Sequence, residues 1–322
     1  MTGNMKSSSL LFFAIILTAV IANTAQTSSP SKLDEILATA ETRSREYVET
    51  FRDLLATETK TFTTYKKNGE EKNTRSVNSL FVVMPLTKEP DRVIEFRNVT
   101  AVDGKTVSDG DKRAGELFAK LSNADTAQNE IKRLDNEALR YDGDIQISGL
   151  TLFQSIVLRP SLRSAFSFTI SGSELINGQP VIVVDYLQLV ETPMLTTVVS
   201  GSEAPSGTEA EFEIAADKNV TLNGRLSGRL YLDEGTFRLR KEIRRLTIQP
   251  EGFSERGLAL EEIFSYQDSS FGILTPRSII HTQYRVKLKD RKLLKDVLVR
   301  FEYSQFSKPD VEVKADEVKP KS

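Results

Sequence analysis

Val297-Leu298-Val299-Arg300-Phe301-Glu302-Tyr303-Ser304 decides the fold. Val297, Val299, Phe301 and Tyr303 alternate with Leu298, Arg300, Glu302 and Ser304. Successive side chains of a strand point to opposite faces, so this strand, read over 294–306, has one apolar face and one mostly polar face. The same period runs back up the chain. Long strands are expected at about 221–233, 236–249, 257–268 and 276–289. Runs this long at such even spacing make an antiparallel meander with one buried and one solvated face. In 276–289, Ile280, Thr282, Tyr284, Val286 and Leu288 read as the apolar face. His281, Gln283, Arg285 and Lys287 read as the wet one.

Earlier segments carry the same period. Phe166, Phe168 and Ile170 alternate with Ser167 and Thr169, and Asn177-Gly178 turns the chain into Pro180–Leu189. Glu58–Lys67, ending at Asn68-Gly69, is rich in threonine and aromatics. Ser76–Met84 and Arg92–Thr100 follow, and Val102-Asp103-Gly104-Lys105 turns the chain into Thr106-Val107.

Two segments change period. Over 31–56, Leu33, Ile36, Leu37, Ala40, Tyr47, Val48, Phe51, Leu54 and Leu55 recur at three- and four-residue steps, which predicts one amphipathic helix. Ser31 and Asp34 form a capping-box-like start. Residues 111–163 read as a helical insert: Asp111–Leu121, a helix capped near Asp125 and reaching Tyr141, and a short helix Leu150–Leu158 stopped by Pro160. Residues 191–210 are rich in Ser, Gly, Pro and Thr and read as a flexible loop, and 307–322 as a disordered charged tail. The expected fold is α+β in a single domain, 31–306. It is a curved antiparallel sheet, a half-open barrel, covered on one face by the N-terminal helix and the insert.

Lys6 is the only charge in the first 22 residues, and Leu10–Ala22 is an apolar run. That is a signal peptide, 1–22, with cleavage expected near Ala22. The run is short of the roughly 20 residues that span a bilayer. The expected location is outside the cytoplasm, periplasmic or extracellular, with no transmembrane span in the mature chain. The sequence has 43 basic and 45 acidic side chains. Removing Lys6 leaves 43 − 1 − 45 = −3, so no nucleic-acid partner is expected. With no cysteine in the chain, disulfides, lipid-modified cysteine and Cys/His zinc sites are excluded.

Chemistry has few candidates. His281 is the single histidine and reads as solvent-facing, without a G-x-S-x-G elbow anywhere. Gly104-Lys105-Thr106 lacks the strand–loop–helix context of a phosphate loop and reads as a turn. The Asp109–Asp111 and Asp142–Asp144 triplets lack calcium ligands at the following positions. Glu261 and Glu262 point to opposite faces of a strand and make no catalytic pair. No catalytic residue, cofactor or metal is assigned. Residues 225–245 hold seven basic and three acidic side chains, and Arg238, Arg240 and Arg244 read as one strand face. That basic patch is either a ladder with neighbouring carboxylates or a contact for an anionic group.

A resemblance follows from the C-terminal third. Gly228-Arg229-Leu230-Tyr231-Leu232-Asp233 precedes Thr236–Lys241. Phe264-Ser265-Tyr266, Phe271–Pro276 and Phe301–Phe306 then follow. This order resembles the LolA/LolB-type periplasmic lipoprotein carriers. The mature chain also resembles an uncharacterised family of exported bacterial proteins through Arg45–Val48, Phe96–Val99, Val102–Gly104 and Tyr303–Phe306. The first resemblance implies a carrier for lipid or lipoprotein acyl chains, held on an apolar face formed by Phe51, Phe264, Tyr266, Tyr284, Val286, Phe301 and Tyr303. The alternative is a cell-envelope interaction protein whose core is filled by its own helices. A hydrolase using scattered carboxylates ranks last. Oligomeric state is left open.

Overall fold

The computed structural model describes residues 31–52, 54–85, 93–108, 139–142, 147, 150–199, 205–206, 208, 210–214, 223–250, 252–287 and 292–308. The expected signal peptide, most of the insert and most of the C-terminal tail lie outside the described residues.

Helix α1 (Lys32–Phe51) begins at a complete capping box. The Ser31 hydroxyl accepts from the Asp34 amide, and the Ser31 amide donates to the Asp34 carboxylate. It ends five residues before the expected stop at 56. Ala56 belongs to the sheet and Leu54 immediately precedes it, since β1 (Leu55–Tyr65) starts four residues after the helix ends. The threonine run Thr57, Thr59, Thr61, Thr63 favours extended backbone and overrides the helical spacing of Leu54 and Leu55.

The remaining strands are β2 (Glu71–Pro85), β3 (Val93–Val102), β4 (Lys105–Thr106), β5 (Phe166–Ile176), β6 (Gln179–Gln188), β7 (Leu195–Val199), β8 (Ala210–Ile214), β9 (Gly224–Asp233), β10 (Leu239–Ile248), β11 (Gly257–Asp268), β12 (Leu274–Lys287) and β13 (Lys292–Ser307). Eleven of the thirteen form one sheet in the order β4-β3-β2-β1-β13-β12-β11-β10-β9-β6-β5. Every pairing in it is antiparallel. The meander β9–β13 is as expected, and β13 joins β1, so both ends of the domain meet in mid-sheet. Among the described residues the sheet does not close, and β4 and β5 are its edges. Asp103-Gly104 and Asn177-Gly178 both have positive φ, as two-residue hairpins of right-twisted strands require.

Two connections differ from expectation. The loop read over 191–210 contains β7, which pairs in parallel with β8. Leu195, Phe212 and Ile214 are buried in the main core, so β-branched Thr196–Val199 is a strand despite its Gly/Ser/Pro surroundings. Residues 150–155 are not helical. Ile156–Leu158 is a single 3-10 turn, and Pro160 opens a short helix, α2 (Pro160–Arg163), rather than stopping one. Proline suits that first helical position, where its missing N–H has no partner to lose.

One face of the sheet carries the core. Its inward residues include Val77, Phe81 and Val83 of β2, Val299, Phe301 and Tyr303 of β13, Phe264 of β11, Leu246 of β10 and Leu230 of β9. Helix α1 packs on this face through Ile36, Leu37, Ala40, Tyr47 and Phe51. No described helix is long and apolar enough to cross a membrane.

Candidate functional site

The aromatic residues of the inward face meet under the C-terminal half of α1. Phe51 stacks on Tyr47 with centroids 4.7 Å apart, and lies 6.4 Å from Phe81 and 6.0 Å from Phe306. Tyr303 sits edge-on to Phe81 at 5.3 Å, and Tyr266 edge-on to Tyr47 at 6.2 Å. Two hydroxyls hold the C-terminal part of the expected insert in place. Tyr47 donates to the Thr151 carbonyl at 2.7 Å and Tyr266 to the Gln154 carbonyl at 3.2 Å. Phe51, Tyr266, Tyr303, Phe301 and Phe264 thus share one face and are all buried.

Val286 is buried on the same face, while Tyr284 is half-buried near its end. Between them and the rest of β12 lies a bulge at Gln283/Tyr284. The register skips Asp296 of β13 there, and the burial phase of β12 changes across it. Ile279 and His281 therefore point inward with Val286, and Ile280 and Thr282 do not. The solvent-facing assignment of His281 is corrected: it is 8 % exposed, and its Nδ1 lies 3.0 Å from Glu262 Oε1.

His281 ends a row of buried polar groups that crosses five strands. Tyr186 of β6 donates to Glu242 of β10 at 2.9 Å. Arg244 of β10 donates twice to Glu242, at 3.2 and 3.0 Å, and once to Glu262 of β11 at 3.0 Å. Glu262 then meets His281 of β12. The row crosses β9 at Gly228. A Cβ there would fall 2.1 Å from the Ile243 carbonyl oxygen and 2.4 Å from the Tyr186 hydroxyl, so only glycine lets Tyr186 reach Glu242. Arg244 also lies over the Phe264 ring, 4.6 Å from its centroid.

Electrostatics follow from the contacts. Burial alone would raise the Glu262 carboxyl, but the His281 hydrogen bond and the Arg244 charge outweigh it and hold it below the ordinary 4.5. Burial and the Glu242 charge push the Tyr186 phenol well up, so it stays a donor. An ionised carboxylate only accepts, so the Nδ1 of His281 carries the proton shared with Glu262.

A second buried cluster occupies β1 and β3. Arg97 forks onto Glu58 at 2.7 and 2.9 Å and reaches Glu95 at 2.9 Å. Glu95 accepts from the Thr151 amide at 3.0 Å and from its hydroxyl. Lys60 bonds Asp142, and its Nζ lies 5.6 Å and 5.8 Å from the centroids of Phe62 and Phe301. Burial and the Arg97 charge lower the Lys60 ammonium. Burial raises the Asp142 carboxyl against the pull of Lys60.

Arg238, Arg240 and Arg244 do not share a face. A bulge lies between Leu239 and Lys241. Arg238 precedes the strand, and Arg240 turns to Asp233 at 2.8 Å and to Asp268. Arg244 is buried with its two carboxylates. Glu261 and Glu262 do point apart: Glu261 pairs with exposed Arg245 at 2.7 Å.

Sequence reasoning passed over Glu58, Lys60, Glu95, Arg97, Glu242 and Tyr186. The usable signal was parity: Glu58 and Lys60 share the phase of Phe62, and Glu242 that of Leu246.

No protein-family model matches the chain, and no curated protein matches it. Among solved structures it is similar to a DUF1329 family protein from Desulfovibrio piger, with 11% identity over 88% of this chain and 95% of that one, at a TM-score of 0.33. A putative outer membrane lipoprotein-sorting protein domain from Vibrio parahaemolyticus matches at 10% identity, over 87% and 96%, with a TM-score of 0.32. LolA superfamily protein NE2245 from Nitrosomonas europaea matches at 14% identity, over 86% and 93%, with a TM-score of 0.27. Likenesses this remote transfer no function, which has to come from the residues.

Proposed function

We propose that the chain is an exported, non-catalytic carrier of an apolar ligand, such as lipid or lipoprotein acyl chains, released into the periplasm by cleavage near Ala22. The observation that carries this reading is the cover of the inward face. A broad aromatic surface, with Phe81, Phe264, Phe301 and Tyr303, packs against the amphipathic helix α1 through five side chains, and among the described residues the other cover of that core is small, the 156–162 turns and the two-stranded β7–β8 sheet. A single helix is separable from such a surface at far less cost than a sheet, because the apolar area to be exposed is smaller. An acyl chain offers the same area to the same rings. The buried cations that lie against Phe81, Phe264 and Phe301 are neutralised by their carboxylates, so the face carries no uncompensated charge toward the ligand.

A second reading has its own observation. The Tyr47–Phe51 stack with Phe81 and Phe306 already fills the space beneath the helix, which favours an envelope interaction protein with a closed core. Native mass spectrometry of the protein gently purified from its own envelope fraction separates the two. A co-purifying lipid mass is expected for the carrier. A clean apo mass, unchanged on incubation with extracted lipid, refutes it. N-terminal sequencing of the same sample is expected to begin near Asn23.

A further inference from the structure

The two edges of the sheet are built differently. On one side the sheet ends in β4, a strand of two residues. A short edge strand is one way to prevent edge-to-edge pairing, along with lysine, proline or a covering element. On the other side it ends in β5, Phe166–Ile176, eleven residues long. Its sequence, FSFTISGSELI, has no Lys, Arg or Pro. Every residue from Thr169 to Leu175 is exposed on both faces, with Ile170 39 % and Leu175 72 % exposed. No described strand pairs with its outer edge.

The pairing with β6 fixes which way the β5 residues point. Phe168, Ile170, Ser173 and Leu175 stand opposite Tyr186, Val184, Ile182 and Pro180. Tyr186, Val184 and Ile182 belong to the main core, so these four residues lie on the inward side. Ser167, Thr169, Gly172 and Glu174 lie on the other side, with Val181 and Val183. Parity changes across a bulge between Ile170 and Gly172.

We infer that β5 is a homodimer interface, in which two copies pair their β5 edges antiparallel about a two-fold axis between Ser171 and Gly172. In this register Phe168 faces Leu175 of the second copy, Thr169 faces its Glu174, Ile170 its Ser173 and Ser171 its Gly172. Each pair matches inward with inward or outward with outward residues. A register that sets a residue opposite its own copy puts inward residues against outward ones across the bulge, because each copy changes parity there. The bulge therefore restricts the self-pairing to axes that pass between residues, of which this one brings the two exposed apolar ends, Leu175, onto Phe168. Charge agrees. The single carboxylate of the strand, Glu174, lies near Arg229 at 3.7 Å and would face a threonine, not its own copy. The exposed Leu175 gains an apolar neighbour, as cross-strand pairs reward. The two inward faces then open on the same side of one continuous sheet. The inference is independent of whether that face carries a ligand.

The test uses the purified protein in sedimentation and light scattering from micromolar to submillimolar concentration. A concentration-dependent dimer is expected. Leu175→Lys places a charge on an already exposed position, so the monomer stays folded by circular dichroism while the dimer fraction falls to background. The chain has no cysteine, so Ser171→Cys introduces a unique thiol close to the axis. Mild oxidation is expected to give a disulfide-linked dimer, and Glu234→Cys, on an exposed turn, is not. A monomer at every concentration overturns the inference. So does a dimer that survives Leu175→Lys, or a Ser171→Cys protein that does not cross-link.

Discussion

Replacing Arg244 with Met tests the buried polar row at its centre. The guanidinium makes three hydrogen bonds to two buried carboxylates. Methionine keeps much of the volume over Phe264 and removes all three. Glu242 is left with Tyr186, and Glu262 with His281. Removing one partner of a buried ion network costs about 3–5 kcal/mol, because the remaining charge is uncompensated. That is a large share of the roughly 5–15 kcal/mol available to a domain. Urea melts at pH 7 should show a lower midpoint at unchanged slope. The pH dependence then identifies the cause. In the wild type the Glu262 carboxyl lies below its ordinary 4.5, so its contribution is present above 4.5 and is lost as pH falls through the lower folded value. Without Arg244, burial is opposed by His281 alone and the carboxyl moves up. The variant then loses less on acidification than the wild type, and the two stability curves converge below pH 4.5. A deficit under about 1 kcal/mol at pH 7, within the range of an ordinary exposed hydrogen bond, would refute the reasoning. A full deficit that stays constant with pH would show lost packing rather than stranded charge.

Phe51→Ala should cost about 3–5 kcal/mol, as for other fully buried Phe, measured by the same melts. Full costs at both Phe51 and Phe301, with no response to extracted lipid, would sink the carrier and leave the envelope interaction protein. Asp142→Asn strands the Lys60 ammonium and should cost about 3 kcal/mol at pH 7. Burial and the Arg97 charge already lower Lys60 from its ordinary 10.5, and losing the Asp142 charge lowers it further, so the deficit should narrow as pH rises toward 10. A deficit that widens with pH would contradict this sign. Gly228→Ala should cost about 1–3 kcal/mol by overpacking, and Tyr186→Phe should not rescue it. The added methyl still meets the Ile243 carbonyl 2.1 Å away, so rescue in a double-variant melt would mean that the hydroxyl was the only obstacle.

The extent of the sheet was legible because its strands are long and each keeps one parity over most of its length. Gly257–Asp268 was placed to the residue, and Val297–Tyr303 points as its alternation says. The misplacements share one cause. A β-bulge leaves no mark in the composition, yet it inverts every assignment on one side of it. Val286 does lie in the core, and extending its phase backwards through Gln283 put His281 in water. The bulge at Leu239/Lys241 likewise merged Arg240 and Arg244 into one basic face. The buried charges were illegible for a different reason. Glu58 and Lys60 read as surface residues because charged side chains are almost never fully buried unless paired. Their partners, Arg97 and Asp142, are 39 and 82 residues away, too distant for any local pattern to join them.

That distance also explains what the charges do for the fold. An inward face made only of Leu, Val and Phe would tolerate strand slips of two residues, since apolar neighbours are nearly interchangeable. The polar row removes that freedom. In the observed register Glu262 stands between Arg244 and His281. Moving β11 by two residues against β12 would set it against Ile279 or Gln283. The same slip against β10 would set it against Glu242 or Leu246. Either leaves a buried carboxylate without its cation, at the several kcal/mol that such a charge costs. The fork of Arg97 on Glu58 applies the same constraint across β1, β2 and β3, with Phe81 of β2 between them at 4.9 Å from the guanidinium. One cluster thus ties together β6, β10, β11 and β12 and passes over β9, and the other ties β1 to β3. The strand between them, β13, is apolar along its inward face from Val297 to Tyr303. It is held in register by neighbours that are themselves fixed, and the cations that fix them lie against its aromatic surroundings, Lys60 by Phe301, Arg97 by Phe81 and Arg244 by Phe264.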